Sequence, residues 1–306
     1  LVGDVRNAPG RSLYVRLRES RNGPPGKWSD AATGEHGDLL DVIRESCGLA
    51  DFRAVADEAR AFLSMPRRIA PSDLSRHQRT KVPIGSPEAA LRLFQMARPI
   101  RGTLAETYFR NRGITILHDL DHLRFHSRCY YRTEEPKGTE TWPALIASVT
   151  DLTGIVTGAH RTWLDPDGFD EARLGKAPVV SPRRSMGDLL GHAVRIGKAD
   201  ELLAVGEGIE TMLSIRQALP TMPIAAALSA GHLAALLLPD TLRRLYVAVD
   251  NDPAGKRATG RLAARAHALG IESIPLRPHR MDFNDDLRAE GDHRLRALLR
   301  AQLAPE

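Results

Sequence analysis

Three acidic groups, two placed just after apolar runs, are the residues of this chain best suited to chemistry. Glu207 and Glu210 lie in Gly206-Glu207-Gly208-Ile209-Glu210, after the run Leu202-Leu203-Ala204-Val205. Asp250 and Asp252 flank Asn251, after Leu245-Tyr246-Val247-Ala248-Val249. Asp282 and Asp286 belong to a third patch, Asp282-Phe283-Asn284-Asp285-Asp286. Short apolar runs bounded by Gly, Asp and Pro predict buried parallel strands. In open α/β sheets ligands sit outside the carboxyl ends of such strands. Glu207, Asp250 and Asp252 are therefore expected at one edge of one sheet. Crowded carboxylates raise each other's proton affinity, and a hard divalent cation with oxygen ligands relieves the repulsion. The chemistry this offers is that of Mg2+ or Mn2+. The alternative is that these residues are solvated caps of strand ends.

The elements that must position them can be read around the acids. Between Glu207 and Asp250 lie a helical stretch (209–219), an apolar run (224–228) and a second helical stretch (232–238). That order is strand, helix, strand, helix, strand, with room for each crossover. Asp250 and Asp252 are two residues apart, so both can face the same way at a strand end. A helix over 257–269 follows, its start pointing Lys256 and Arg257 toward the acidic edge, to meet a phosphate or balance the carboxylates. A strand over 271–276 and a closing helix over 292–303 complete this part.

Upstream, strands are expected at 123–131, 144–149, 155–162, 176–181 and 193–196. Ser86-Pro87 starts a helix, and a second runs over 104–112 to Gly113. Residues 66–87, rich in Pro, Ser and basic side chains, read as a linker. Before it, a strand at 12–17, a turn at 22–26 and a partner strand at 27–30 precede two helices, 39–46 and 52–63.

Composition narrows the classes. The 306 residues carry a formal net charge of +5 despite the acidic patches, which favours a polyanionic partner such as nucleic acid. Two cysteines, Cys47 and Cys129, exclude a disulfide framework and a four-thiolate zinc site, and suit a reducing cytoplasm. No apolar run approaches the ~20 residues that span a bilayer. No Gly-x-x-x-x-Gly-Lys-Ser/Thr loop occurs, because Gly175-Lys176 and Gly255-Lys256 lack the spacing.

Glu-Gly-Ile-Glu after one strand, Asp-Asn-Asp after a later one and a third acidic patch together resemble the Toprim domain. That domain is shared by bacterial-type primases, two types of topoisomerase, some nucleases and recombination mediators. The resemblance implies a divalent metal on Glu207, Asp250 and Asp252, with Asp282 or Asp286 as further ligands. The preceding stretch is similar to the mixed subdomain before Toprim in primases, through Gly154, Gly158, Arg161, Lys176, Ser181 and Pro182. This implies that Arg161 and Lys176 line a groove for template and nucleotide phosphates, with Arg183 and Arg184 beside them. The beginning of the chain resembles the primase zinc ribbon: Gly34, Gly37, Asp38 and the helix match its frame. Asp30 and Thr33 stand where its two cysteines fall, so no zinc is expected.

The fold class implied is α/β. A Toprim domain (201–306), a parallel sheet flanked by helices, follows a mixed α+β primase-core subdomain (88–200), a basic linker (66–87) and a small zinc-ribbon-like module without zinc (1–65). The function implied is that of a primase of the kind carried by plasmids, phages and conjugative elements. It would join nucleotides from nucleoside triphosphates on single-stranded DNA, with a separate replicative helicase as an optional partner and no membrane. Glu210 would orient a metal-bound water or accept a proton. Bases would stack on Trp28, Trp142, Trp163 or Tyr130. The alternatives are a Toprim nuclease, whose site would activate water, and a non-catalytic adaptor that binds single-stranded DNA.

Overall fold

The computed structural model describes residues 4–5, 9–18, 25–32, 35–49, 51–62, 85–133 and 138–303. They form two compact units, 1–80 and 81–306. Most of the expected linker, part of the expected turn at 22–26, and Thr33 and Gly34 lie outside the described residues.

In the first unit β1 (Leu13–Val15), β2 (Trp28–Asp30) and β3 (His36–Gly37) make an antiparallel sheet in that order. Helices α1 (Leu39–Cys47) and α2 (Phe52–Phe62) follow. Asp38 caps α1 through a reciprocal box: its carboxylate accepts from the Leu40 and Asp41 N–H groups, and the Asp41 carboxylate accepts from the Asp38 N–H. Gly48 ends the helix at φ 64°, a left-handed conformation that glycine adopts without strain. The buried Trp28 donates its indole N–H to the Asp38 carbonyl at 3.0 Å, pinning strand to helix start. Asp30 is buried and accepts from the Ala32 N–H at 2.8 Å, closing the turn with its own carboxylate.

The second unit begins with α3 (Pro87–Met96), where Ser86 Oγ accepts from the Ala89 N–H and Pro87 occupies the first turn. Strand β4 (Arg98–Pro99), helix α4 (Leu104–Arg110) and strands β5 (Leu123–Thr133), β6 (Gly138–Thr150), β7 (Val156–Trp163) and β8 (Arg183–Gly187) follow. The five strands form an antiparallel sheet in sequence order. Phe94 of α3 packs with Tyr131, Ile146 and Trp163 on one face. Tyr108 and Phe109 of α4 pack with Leu123, Leu145 and Val149 on the other. The strand expected at 176–181 is absent. Pro178 and Pro182 remove ladder donors there, and only a single bridge, Leu164 to Lys176, touches the segment. The fifth strand is β8 instead, whose Arg-Arg-Ser-Met-Gly carries no apolar alternation.

The second sheet contains β9 (Val194–Ile196), β10 (Leu202–Gly206), β11 (Ile224–Ala226), β12 (Arg244–Ala248) and β13 (Glu272–Leu276). Its order is β13-β12-β10-β11-β9, parallel except for β9. Helices α5 (Ile209–Ala218), α6 (Ala230–Ala235), α7 (Pro253–Ala268) and α8 (Phe283–Leu303) connect and cover it. Leu203, Val205, Leu245 and Val247 face α6 and α7; Ala204, Tyr246 and Ala248 face α5 and α8. Continuous apolar runs are the price of burial on both faces. Two expected helix starts move by a turn or more. Helix α7 starts at Pro253 because Asp252 caps it. Helix α8 starts at Phe283 and breaks at Gly291 (φ 81°), so the helix expected from 292 is its second half.

One core joins the two sheets: Phe109, Leu145 and Val149 pack in the same cluster as Ala204, Met212 and Phe283. Each fully buried large apolar side chain there contributes roughly 1.5–3 kcal/mol. Among the described residues no helix is long and apolar enough to cross a membrane.

Candidate functional site

Strand order reverses between β10 and β12: the crossover from β10 leads to β11 on one side, while β12 lies on the other. A crevice opens at such a point. Glu207 immediately follows β10, and Asp250 lies two residues past β12. Glu207 Oε1 and Asp250 Oδ1 are buried without a hydrogen-bond partner. Burial, with Asp250 and Asp252 adding to it, raises the Glu207 pKa to about 7. Burial, then Asp282 and Asp252, raises that of Asp250 to about 7 against the pull of Arg183. Burial also pushes Asp282 up. Orphaned buried carboxylate oxygens are costly, and hard oxygen donors suit a magnesium-like ion, so this donor set fits one. Among the described residues no three His, Cys, Asp or Glu side chains are drawn together as a finished cage.

The other acids have structural ties. Asp252 Oδ1 accepts from the Gly255 N–H at 2.7 Å, capping α7 and leaving its second oxygen for other partners. Asp282 Oδ1 accepts from the Asp285 N–H at 2.8 Å. Asp286 does not fit the ligand role expected of it. It is fully buried, and its two oxygens accept from the His279 and Arg280 N–H groups, each at 2.9 Å. It fastens the loop before α8, as does Asn251, which donates to the carbonyls of Pro278 and Arg280. Asp286→Ala is expected to lower the melting temperature by several degrees, the loss of about 1–3 kcal/mol from unpaired backbone donors. It should keep a magnesium-dependent rise in melting temperature that Asp250→Asn loses. Melting scans with and without Mg2+ check this.

Gly255 lets α7 approach the acids. A Cβ there would lie 2.9 Å from the Asp250 carbonyl and 3.2 Å from Glu207 Oε1. Gly255→Ala should therefore cut metal-dependent activity by about tenfold or more, as misplacement by an ångström does. Alanine's better helix propensity keeps the metal-free melting temperature within a few degrees. Steady-state kinetics beside a melting scan separate the two effects.

Glu207, Asp250 and Asp282 line a cavity of about 380 Å³ together with Arg112, Lys176, Arg183 and Arg184, and with His160, Ser185, Glu210 and Thr211. Arg112, at the end of α4, is 6% exposed. One terminal nitrogen donates to Asn284 Oδ1 at 3.1 Å, its guanidinium lies 4.7 Å over the Tyr108 ring, and Nε and Nη2 have no partner. Burial lowers the Lys176 pKa, with Glu210 opposing. Burial holds His160 neutral, with a pKa of about 4, and its Nδ1 bonds Ser185 Oγ at 2.8 Å.

Glu210 sits in a helix buried along its whole length. The Tyr108 hydroxyl donates to its Oε1 at 2.5 Å. Burial alone would raise its pKa; Arg112, Arg183, the Tyr108 hydroxyl and Lys176 override that and hold it at about 2. A carboxylate so reluctant to take a proton is a poor base, which corrects the proton-accepting role expected of it. It is the counter-ion of these cations.

Several expected contacts lie elsewhere. Arg161 stacks over Trp163 at 5.0 Å, and Arg184 stacks over Tyr131 at 4.5 Å while donating to the Tyr131 hydroxyl. Strand alternation puts the Arg161 guanidinium on the α3 side of the sheet, opposite the His160–Ser185 pair, whereas Arg184 also contributes to the lining of the acidic cavity. Lys256 and Arg257 do not line the cavity; Lys256 lines a separate groove. Of the stacking candidates, Trp28 and Trp163 are buried, Trp142 is half-buried, and Tyr130 is 71% exposed. Sequence reasoning missed Arg112, Tyr108, Ser185 and Asn284. An Arg before Gly at a helix end looks like a solvated terminus, and nothing local links residue 112 to residue 284.

Residues 202–293 match the family model described as the Toprim domain. Residues 85–196 match a domain of unknown function, DUF7146. No curated protein matches the chain. Among solved structures it is similar to the Aquifex aeolicus primase (zinc-binding and RNA polymerase domains), with 13% identity and a TM-score of 0.47, over 96% of this chain and 80% of that one. A DNA primase domain from Pseudomonas aeruginosa gives 15% and 0.46, over 71% and 78%. The primase fragment of the bacteriophage T7 primase-helicase protein gives 10% and 0.43, over 94% and 92%. Residues 202–293 thus form a Toprim domain, and the acidic ends of β10 and β12 belong to it.

Proposed function

We propose that the protein is a primase-like nucleotidyltransferase acting on single-stranded DNA in a reducing cytoplasm, with Mg2+ or Mn2+. The observation that carries this reading is one cavity lined both by orphaned carboxylate oxygens and by the cations Arg112, Lys176 and Arg183. Glu207, Asp250 and Asp282, with the second oxygen of Asp252, are the residues that would hold the metal. The chemistry such an ion supplies is acidification of a hydroxyl nucleophile and neutralisation of phosphate charge. Arg112, Lys176 and Arg183 would hold the triphosphate, Arg in a planar fork and Lys as a point charge. The 3′-hydroxyl oxygen bonds the α-phosphorus while the bond to pyrophosphate breaks. Glu210 keeps the cations in register, and neutral His160 adds no charge that would repel metal or base. A replicative helicase supplied by another chain is compatible with this role.

The test offers the protein single-stranded DNA, Mg2+ or Mn2+ and labelled nucleotides. New short strands are the expected result. A shortened template would instead assign a nuclease, and bound but unchanged DNA an adaptor; either overturns the proposal.

A further inference from the structure

A second hollow, of about 360 Å³, runs between α7 and β13 and shares no lining residue with the acidic cavity. Lys256, Thr259 and Gly260 recur at helical spacing, so one stripe of α7 makes one wall; Ser273 and Arg277 belong to the other. Strand β13 is the edge of its sheet. A Cβ at Gly260 would meet nothing within 4 Å, so the wall is open there. Thr259, 8% exposed, and Ser273 both carry a buried hydroxyl with no hydrogen-bond partner. An unpaired buried hydroxyl is a cost that an added acceptor or donor can recover. Lys256 and Arg277 are exposed at this groove, and no carboxylate lines it. The volume is within the range of small-molecule sites, and apolar walls with a few polar groups are their usual make-up.

We infer that this groove binds a phosphate ester with a flat apolar body, the chemistry of a mononucleotide unit. Lys256 and Arg277 hold the phosphate, the two hydroxyls bond the polar edge, and Val249 belongs to the apolar lining that covers the body. This gives Lys256 the phosphate contact expected of it, at a different place. Val249 directly precedes Asp250, so an occupant would abut the strand end that carries the acid. The inference does not depend on what the acidic cavity catalyses.

Free nucleotide and a nucleotide unit of a DNA strand share this chemistry. The probe is AMP carrying a fluorescent N-methylanthraniloyl group, titrated into the whole protein in EDTA, with unlabelled AMP, inorganic phosphate and oligothymidylate as competitors. Saturable binding is expected. Lys256→Ala and Arg277→Ala should each weaken it about tenfold, the scale of one lost charge-assisted contact. Gly260→Leu should fill the groove and abolish it with the melting temperature retained, while Asp250→Asn and Arg183→Ala leave it intact. Competition mainly by AMP assigns free nucleotide, and competition mainly by oligothymidylate assigns a strand; both uphold the site. Absence of binding overturns it. So does binding indifferent to Lys256, Arg277 and Gly260, or binding lost with Arg183→Ala alone, which would place the probe in the acidic cavity. A primase assay that fails while this binding persists refutes only the proposed function.

Discussion

Asp250→Asn is expected to abolish the proposed nucleotidyl transfer and to raise the melting temperature of the metal-free protein at pH 8. Both effects follow from one buried oxygen. Asp250 Oδ1 has no partner, and burial with Asp282 and Asp252 raises its pKa to about 7. In the unfolded chain the same carboxyl titrates near its ordinary value of about 3.9. The folded state therefore binds the proton more tightly, and its stability falls as pH rises from about 4 through 7. At pH 8 the metal-free fold bears the whole penalty, and asparagine removes it. The penalty is about 2 kcal/mol, since the carboxyl keeps an edge in solvent, and its removal is a gain of roughly 4–8 °C for a unit of this size. The gain should vanish near pH 4, where the aspartate is already protonated. Saturating Mg2+ should reverse the ranking, since the ion stabilises only the wild type. An Asp250→Asn protein that melts lower than wild type at pH 8 without metal, or that keeps full transfer activity, would refute this account.

Glu210→Ala lowers the melting temperature by about 10 °C at pH 7. Removing one member of a buried charge cluster costs about 3–5 kcal/mol, because the partners stay buried and uncompensated. Here the buried partners are Arg112 and the Tyr108 hydroxyl, with half-buried Lys176 and exposed Arg183 adding to the field. The sign with pH is opposite to that of Asp250. The folded pKa of about 2 lies below the ordinary glutamate value of 4.5. The stabilisation is complete above about pH 4.5 and is lost as pH falls toward 2. Wild type and variant should therefore converge as the medium is acidified. Tyr108→Phe should lose only about 1–3 kcal/mol, one hydrogen bond to a charged group. If Glu210→Ala melts within 2–3 °C of wild type at pH 7, which is about 1 kcal/mol or less, the counter-ion role fails.

Much of the scaffold could be read from the chain alone. The runs ending at Val205 and Val249 are apolar throughout, which is what two-sided burial demands, and both are strands. Ser86-Pro87 is a local signal, settled within four residues, and its helix starts where that signal puts it. Asp252 was legible as part of an acidic pair but not as the cap of α7, because Pro253 in the first turn moved the helix start onto it. The strand at 183–187 was illegible, since an Arg-rich segment shows no alternation and is held only by β7.

What the sequence by itself determined is the order of strands, the Ser86 cap and the placing of Glu207 and Asp250 at strand ends. Those depend on neighbours along the chain and on a repeat of two or 3.6 residues. Only the tertiary structure decided which charges share a space. It brought Arg112 against Glu210 and Asn284, and turned Arg161 to the far face. It committed both oxygens of Asp286 to a loop, and moved Lys256 to another groove. The physical reason is that a charge's partners are set by distance in space and by loss of solvent. Both arise only when two sheets close on one core and bring together residues as far apart in the chain as Tyr108 and Glu210.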